Sequence, residues 1–197
     1  MARPRKFDEQ DVIDRAMIAF WQNGYDATAI GDLEAATGIS RISIYNTFGD
    51  KEGLFLRALD SYHNRAIEIF QDGLAADGLD AIAAFFDRLS EATPQDSPAN
   101  FGCLMVNTVL DIRSASAAVQ DRVQSYRAMI KGAFASALQN ARRTGEMRAT
   151  DAVIDDRAEY LVGVLWGALA TIRVQCRTVA AAPLARVTAD VINGWRE

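Results

Sequence analysis

The chain has 197 residues, half of them apolar and about a quarter charged, which is the composition of an ordinary globular protein with room for a sizeable core. Its net charge of −5 argues against broad, charge-driven binding to nucleic acid, which depends on many neutralised phosphates. Two widely separated cysteines and a single histidine argue against a zinc site and a disulfide-stapled fold, so we expect no metal and no cofactor.

The N-terminus does not have the pattern of a signal peptide, because Asp8, Glu9 and Asp11 fall where its apolar segment would have to be. The longest apolar run, residues 160–172, is shorter than the roughly 20 residues that span a bilayer. We therefore expect a soluble, cytoplasmic protein with no membrane partner.

Residues 28–51 predict two short helices joined by a tight turn. We expect Thr28 to cap the first helix, Gly38 to end it in the left-handed conformation, and Ser40 to cap the second helix. The second helix, about two turns long, would bury Ile44 and leave a polar face outward, and a helix this short is not stable alone in water. A helix–turn–helix with a polar second helix is the arrangement that fits a DNA major groove.

The same stretch resembles the signature of the TetR/AcrR family of transcriptional regulators. Two departures stand inside it: family members often carry Gly at the position of Ile42, and His or Tyr near Asn46 and Thr47. The resemblance therefore carries over the register but not the base preference. The matching residues are Thr28-x-Ile30, then Ala36-x-Gly38-Ile39-Ser40, then Ile44-Tyr45-x-x-Phe48-x-Asp50-Lys51-Glu52-x-Leu54.

The resemblance implies an all-α fold with two domains. Residues 1–50 would form an N-terminal three-helix helix-turn-helix DNA-binding domain with a basic arm at 1–7, and residues 51–197 a helical domain for effector binding and dimerisation. The arm is either a solvated tail or a minor-groove contact. No segment of the chain has the alternating pattern of a β-strand.

The predicted DNA contacts must be few, because residues 1–60 hold seven Lys and Arg against ten Asp and Glu, a balance of −3. Arg41 and Ser43 would reach base edges, and the other predicted residues would fix the register on phosphates. Lys51, in the first turn of the next helix, is either a phosphate ligand together with the helix N-terminus or an exposed lysine indifferent to its position. The predicted DNA-contacting residues are Thr28, Ser40, Arg41, Ser43, Tyr45, Thr47 and Lys51.

The remaining chain predicts seven further helices and one loop. Glycines, prolines and candidate N-caps set their ends. The predicted segments are a first helix from Asp8 to Gly24, a long helix from about Lys51 past Phe70, helices at 79–89, 101–110, 116–143 and about 151–177, a last helix that begins at Pro183, and a loop at 93–100.

An effector pocket is implied by the family resemblance rather than by spacing, and for any single one of its aromatic residues an ordinary core position is the favoured interpretation. Cys103, expected in the first turn of a helix, is either a reactive thiol that senses electrophiles or a small buried hydrophobe. The predicted pocket residues are Phe85, Phe86, Cys103, Met105, Tyr126, Met129, Phe134 and Trp166.

The last two helices predict a dimer interface. Gly163 and Gly167 leave one face of their helix without side chains, so another helix can approach it closely. A twofold dimer uses the same surface from both chains. Family members resemble this, dimerising through a four-helix bundle. The predicted interface residues are Gly163, Gly167, Leu184, Val187 and Val191.

Together these features predict a sequence-specific transcriptional regulator, a repressor released from a palindromic operator by a small-molecule or electrophile signal. The partners would be double-stranded DNA, a second copy of the chain and an effector. An enzyme is not supported, since the sequence has no catalytic cluster, metal-ligand set or phosphate loop. The alternative is an all-α dimeric interaction module without specific DNA binding, which the acidic balance and Ile42 favour.

Overall fold

The structure, a computed structural model, describes residues 7–74, 78–111 and 116–196. Within those ranges the chain is all-α, with no β-strand. The basic side chains Arg3, Arg5 and Lys6 of the predicted arm lie outside the described residues. The helices are α1 (Glu9–Asn23), α2 (Ile30–Thr37), α3 (Arg41–Phe48), α4 (Lys51–Gly73), α5 (Leu79–Leu89), α6 (Leu104–Asp111), α7 (Ala117–Arg143), α8 (Asp151–Gln175) and α9 (Ala182–Asn193), with 3-10 turns at Pro98–Phe101 and Thr178–Ala181.

Most helix ends follow the sequence signals. Asp8 and Ser116 cap α1 and α7 through their side-chain oxygens, and Gly38 ends α2 with φ of 73°. Two predictions were wrong by a few residues: the helix predicted at 101–110 begins at Leu104, and α8 ends at Gln175. The first begins late because residues 98–101 form a 3-10 turn before it.

Thr28 is not the cap of α2, which is a correction to the sequence prediction. The residue is fully buried, and its hydroxyl donates to the carbonyl oxygen of Gly24 at 2.6 Å. Ala29 holds the cap position instead, and the Asp32 carboxylate accepts from the Ala29 N–H at 2.8 Å. A carboxylate from inside the helix therefore accepts from the N–H of the cap residue, while no side chain at the cap position accepts from the first turn.

Helix α4 joins the two ends of the molecule. Its first half packs on α1, where the rings of Phe20 and Phe55 lie 4.9 Å apart. Its second half carries Phe70 into an aromatic cluster with Phe85 and Phe134, whose rings are 4.9 and 5.9 Å from that of Phe70. A tilt of α4 would therefore displace the helices that pack against each of its halves.

A second connection runs from α8 to the C-terminal end of α1. The Arg173 guanidinium donates to the carbonyl oxygens of Trp21 and Gln22, each at 3.1 Å. These carbonyls belong to the last turn of α1, where helices leave acceptors unsatisfied. Gly102 allows its own segment to approach α8 closely, because a β-carbon there would lie 2.5 Å from the carbonyl oxygen of Leu169.

Candidate DNA-binding surface and ligand cavity

The turn between α2 and α3 is held by three local hydrogen bonds. Gly38 N–H donates to the carbonyl oxygen of Glu34 at 2.9 Å, and the Ser40 hydroxyl accepts from Ser43 N–H at 3.3 Å. The Glu34 carboxylate also accepts from the backbone N–H of Arg41 at 2.6 Å. These bonds satisfy the exposed N–H groups at the start of α3 and fix its direction relative to α2.

The exposed face of α3 is formed by Arg41, Ile42, Tyr45 and Asn46, which recur at a spacing of four residues. Ile42 is 67% exposed and Tyr45 46% exposed, whereas Ile44 is fully buried against the other helices. A two-turn helix that exposes isoleucine and tyrosine side chains beside each other is a candidate surface for a partner.

The predicted DNA-contacting residues of α3 differ in their exposure to solvent. Arg41 and Tyr45 are exposed, while Ser43 and Thr47 are half-buried on the flank of the helix. The hydroxyls of Ser40 and Ser43 lie 3.1 Å apart and hydrogen-bond to each other. Ile42 and Asn46 were not among the predicted residues, although their spacing from Arg41 and Tyr45 was a signal that could have found them.

Lys51 is the first residue of α4, and its ammonium is held in place. The Nζ atom lies 4.4 Å above the centre of the Tyr25 ring, and this contact fixes its position. Burial lowers the pKa of Lys51, while the carboxylates of Asp26 and Asp32 act in the opposite direction. Asp50 caps the helix by accepting from Gly53 N–H at 2.7 Å, so it takes one of the N–H groups expected to face a phosphate.

Carboxylates accompany the basic groups of this surface. The Arg41 Nε atom is 3.5 Å from a Glu34 oxygen. Such exposed pairs contribute about 0–1 kcal/mol and exchange readily for a phosphate. The described residues of this surface can therefore bind DNA through a few contacts, and they do not form a broad positive field.

A cavity of about 520 Å³ lies between α1, α4, α5 and α8, a volume within the range of small-molecule sites. Its wall is mostly apolar and aromatic, and the lining residues with polar side-chain atoms are two arginines, two threonines, two tyrosines and one tryptophan. The lining residues are Met17, Ile18, Trp21, Tyr62, Arg65, Ala66, Ile69, Phe70, Gly73, Phe85, Arg88, Leu89, Thr93, Pro98, Ala99, Gly102, Tyr126, Leu165, Leu169, Ile172 and Thr178.

Of the eight predicted pocket residues, Phe85 and Tyr126 line this cavity. The rings of Phe86 and Phe134 stack 5.9 Å apart inside the core, and Met105 is also fully buried. Cys103, Met129 and Trp166 lie outside the wall as well. Sequence alone could not separate core from wall, because both need apolar side chains at helical spacing.

Cys103 lies directly behind the cavity wall and is fully buried. It precedes α6 rather than lying in its first turn, since its carbonyl oxygen accepts from Asn107 N–H at 2.9 Å. Its Sγ atom is 3.4 Å from the Tyr126 hydroxyl. Burial raises the pKa of the Tyr62 and Tyr126 phenols well above the ordinary value, and the neighbouring thiol raises both further. Cys176, in contrast, is exposed.

Helices α8 and α9 present an exposed apolar face. Gly163 and Gly167 are exposed, and a β-carbon added at either would meet nothing within 4 Å. Tyr160 and Val174 extend the same stripe of α8, and on α9 Val187 is 60% exposed. Leu184 and Val191, also predicted for the interface, are half-buried beside it. The glycine ridge is therefore open to another molecule rather than filled by this chain.

Comparison with known proteins identifies the family. Residues 12–58 match the description "Bacterial regulatory proteins, tetR family", and residues 78–188 match "Tetracyclin repressor-like, C-terminal domain". The second segment alone covers more than half of the chain. The chain belongs to the TetR family.

Individual members of the TetR family are similar over most of the chain. The HTH-type transcriptional repressor ComR of Escherichia coli (strain K12) is 32% identical over 151 residues, which cover 74% of this chain and 70% of ComR. The regulator YezE of Bacillus subtilis (strain 168) is 29% identical, over 82% of this chain and 84% of YezE. A solved cysteine mutant of the TetR-family regulator CifR, complexed with 26-bp double-strand operator DNA, superposes with a TM-score of 0.82 at 27% identity, covering 98% of this chain and 100% of that one.

Membership in the TetR family confirms the all-α architecture, with an N-terminal helix-turn-helix followed by a C-terminal domain, and makes the protein a DNA-binding transcriptional regulator. The first matched segment holds most of α1, all of α2 and α3, and the start of α4, while the second holds α5 to α8 and part of α9. None of the described helices is long and apolar enough to cross a membrane.

Proposed function

We propose that the protein is a dimeric repressor that binds a palindromic operator through α3 and is released when a small molecule occupies the cavity. The observation that carries this proposal is the exposed face of α3, held at a fixed angle by the capped turn before it. We assign DNA binding to residues 1–50 and effector binding and dimerisation to residues 51–197, with α4 as the element that both share.

For the DNA contacts we retain six of the seven predicted residues and add two. Thr28 is not retained, because its hydroxyl is buried and donates to the carbonyl oxygen of Gly24. Arg41 is suited to bidentate pairing with guanine, Ile42 to contact with a thymine methyl group, and Asn46 to adenine. The proposed contacts are Arg41, Ile42, Ser43 and Asn46 toward base edges, and Ser40, Tyr45, Thr47 and Lys51 toward phosphates.

The open glycine ridge supports dimerisation through α8 and α9. Two copies of Gly163 and Gly167 would let these helices approach closely across a twofold axis, and Val187 would be covered in the same step. The two copies of α3 would then enter successive major grooves about 34–36 Å apart. A dimer doubles the few phosphate contacts that each acidic chain offers.

Release would follow from the position of the cavity. Met17, Ile18 and Trp21 of α1 form one wall, and Leu169 and Ile172 of α8 form the opposite wall. A ligand that fits only when α1 and α8 stand further apart would favour a dimer geometry that does not match the operator. The protein would act in the cytoplasm, as a regulator and not as an enzyme.

An electrophile signal at Cys103 is the second candidate for release. The observation that favours it is the position of the thiol, whose Sγ lies 3.4 Å from the hydroxyl of the wall residue Tyr126. Modification there would push Tyr126 into the cavity. We favour reversible binding in the cavity instead, because Cys103 is fully buried and a bulky reagent cannot reach it without opening the core.

Selection of sequences from random duplex DNA tests the proposal against the alternative of an all-α interaction module. A repressor of this kind is expected to enrich a palindrome, with binding that weakens steeply as salt is raised. No enrichment even at low salt would support the interaction module instead.

A further inference from the structure

The charged groups of the cavity wall have one sign. Among the described lining residues the only side chains charged at neutral pH are Arg65 and Arg88, and none of these lining residues carries a carboxylate; Asp14, which pairs with Arg65, is not among them. Both arginines are exposed, so they stand at the mouth, while the aromatic side chains of Trp21, Tyr62 and Phe70 form the interior. The site is apolar inside and cationic at its opening.

The two guanidinium groups are fixed in place but keep unused donors. Arg88 donates from one nitrogen to the carbonyl oxygen of Gly73 at 2.6 Å, and a nitrogen of Arg65 lies 2.5 Å from the Asp14 carboxylate. A guanidinium has five N–H donors in a rigid fork, so each arginine retains donors for a second partner. Arg88 forms no ion pair with any described residue and carries its full charge to the mouth.

Gly73 is what lets Arg88 and Phe85 pack against α4 at this point. A β-carbon at Gly73 would lie 2.9 Å from a ring carbon of Phe85 and 3.5 Å from the Arg88 nitrogen. The glycine therefore leaves room for an aromatic wall and a cation side by side. An anionic group with an apolar body meets both requirements at once.

We propose that the cavity binds an amphipathic carboxylate, with an aromatic or aliphatic body in the interior and its carboxylate on Arg88. This inference rests on the proposed effector role of the cavity and names the chemical class of the effector. The body of such a ligand would touch Trp21, so binding is sensed directly by α1 of the DNA-binding domain.

The test varies the charge of the ligand head while the body stays the same. The probes are 4-phenylbutyrate, 4-phenylbutanol and 4-phenylbutylamine, together with decanoate, decanol and decylamine as a second body. Binding is measured by titration calorimetry and by the fluorescence of Trp21, in full-length protein carrying Trp166→Phe and Trp195→Phe. We expect the carboxylate of at least one series to bind at least about tenfold more tightly than its alcohol, and the amine most weakly.

Substitution of Arg88 then locates the carboxylate. Arg88→Gln should reduce carboxylate affinity and leave alcohol affinity unchanged. Arg143→Gln, at the C-terminal end of α7 and outside the cavity wall, makes the same charge change and should alter neither. The inference is overturned if the alcohols bind as well as the carboxylates, if neither series shows saturable binding, or if Arg88→Gln keeps the wild-type preference.

These outcomes separate the ligand class from the proposed function, because binding is measured without DNA. A carboxylate that binds as expected but leaves operator affinity unchanged would contradict the effector role and preserve the site. Specific DNA binding without any carboxylate preference would contradict the proposed ligand class and preserve the proposed role in DNA binding.

Discussion

The approach of α3 to α4 depends on the absence of a side chain at Gly53, so Gly53→Ala is a sharp test of how the DNA-binding surface is built. A β-carbon at Gly53 would lie 1.9 Å from the carbonyl oxygen of Phe48, the last residue of α3. Because such contacts essentially never fall below 3.0 Å, the carbonyl would have to retreat by about 1.1 Å, the difference between 3.0 and 1.9 Å. The obstacle is backbone, and it cannot rotate away as a side chain can.

The expected cost follows from two opposing terms. Alanine is favoured over glycine within a helix by about 0.5–1 kcal/mol, whereas overpacking a well-packed contact costs about 1–3 kcal/mol. We take the upper part of the second range, so the free energy of unfolding should fall by about 1–2 kcal/mol. A displacement of this size at the end of α3 should also break at least one base contact, which lowers operator affinity by about tenfold or more.

Urea unfolding and fluorescence anisotropy on the selected duplex measure the two effects. Gly132→Ala is the matched control, since Gly132 lies within α7 at a negative φ and a β-carbon there meets nothing within 4 Å. It should raise the unfolding free energy by about 0.5–1 kcal/mol and leave DNA binding unchanged. The reasoning would be refuted by a Gly53→Ala variant that is as stable as wild type and binds the operator equally well.

Three further predictions address the contacts, the dimer and the thiols. Arg41→Ala should relax base preference at one position of each half-site, while Lys51→Gln should weaken all duplexes alike and reduce the salt slope by about 1 in anisotropy titrations; equal effects of the two changes would contradict these roles. Gly163→Leu should raise the dimer dissociation constant at least about tenfold in sedimentation equilibrium, because the new side chain fills the ridge, and an unchanged constant would place the interface elsewhere. In mass-spectrometric maleimide labelling the exposed Cys176 should react in the folded protein and Cys103 only after denaturation; rapid labelling of Cys103 in the native state would favour the electrophile candidate.

The fold was readable from the sequence wherever one local signal decided the structure. Gly38 ends α2 and Ser116 begins α7 as predicted, because a left-handed glycine and a serine cap act within a few residues. Thr28 shows the limit of such signals. A threonine before a helix suits both a cap and a buried hydroxyl bonded four residues back, and only the packing of α1 selects the second.

The candidate sites were less readable, since their geometry depends on contacts distant in sequence. Phe85 and Phe134 have the same apolar character and helical spacing, yet one lines the cavity and the other lies in the core. Arg65 and Arg88 were missed because an arginine on an amphipathic helix predicts a solvated face. Arg88 reaches the cavity only after α4 and α5 pack, with Gly73 as the small residue that leaves room for it.

The central claim, that this acidic chain is a sequence-specific DNA-binding regulator, is tested most directly by a specificity ratio. The ratio compares the dissociation constant for the selected duplex with that for a shuffled duplex of the same length and composition, at physiological salt. We predict that the selected duplex binds about 10³-fold more tightly or better, as specific regulators do. Equal affinities for the two duplexes would contradict the account.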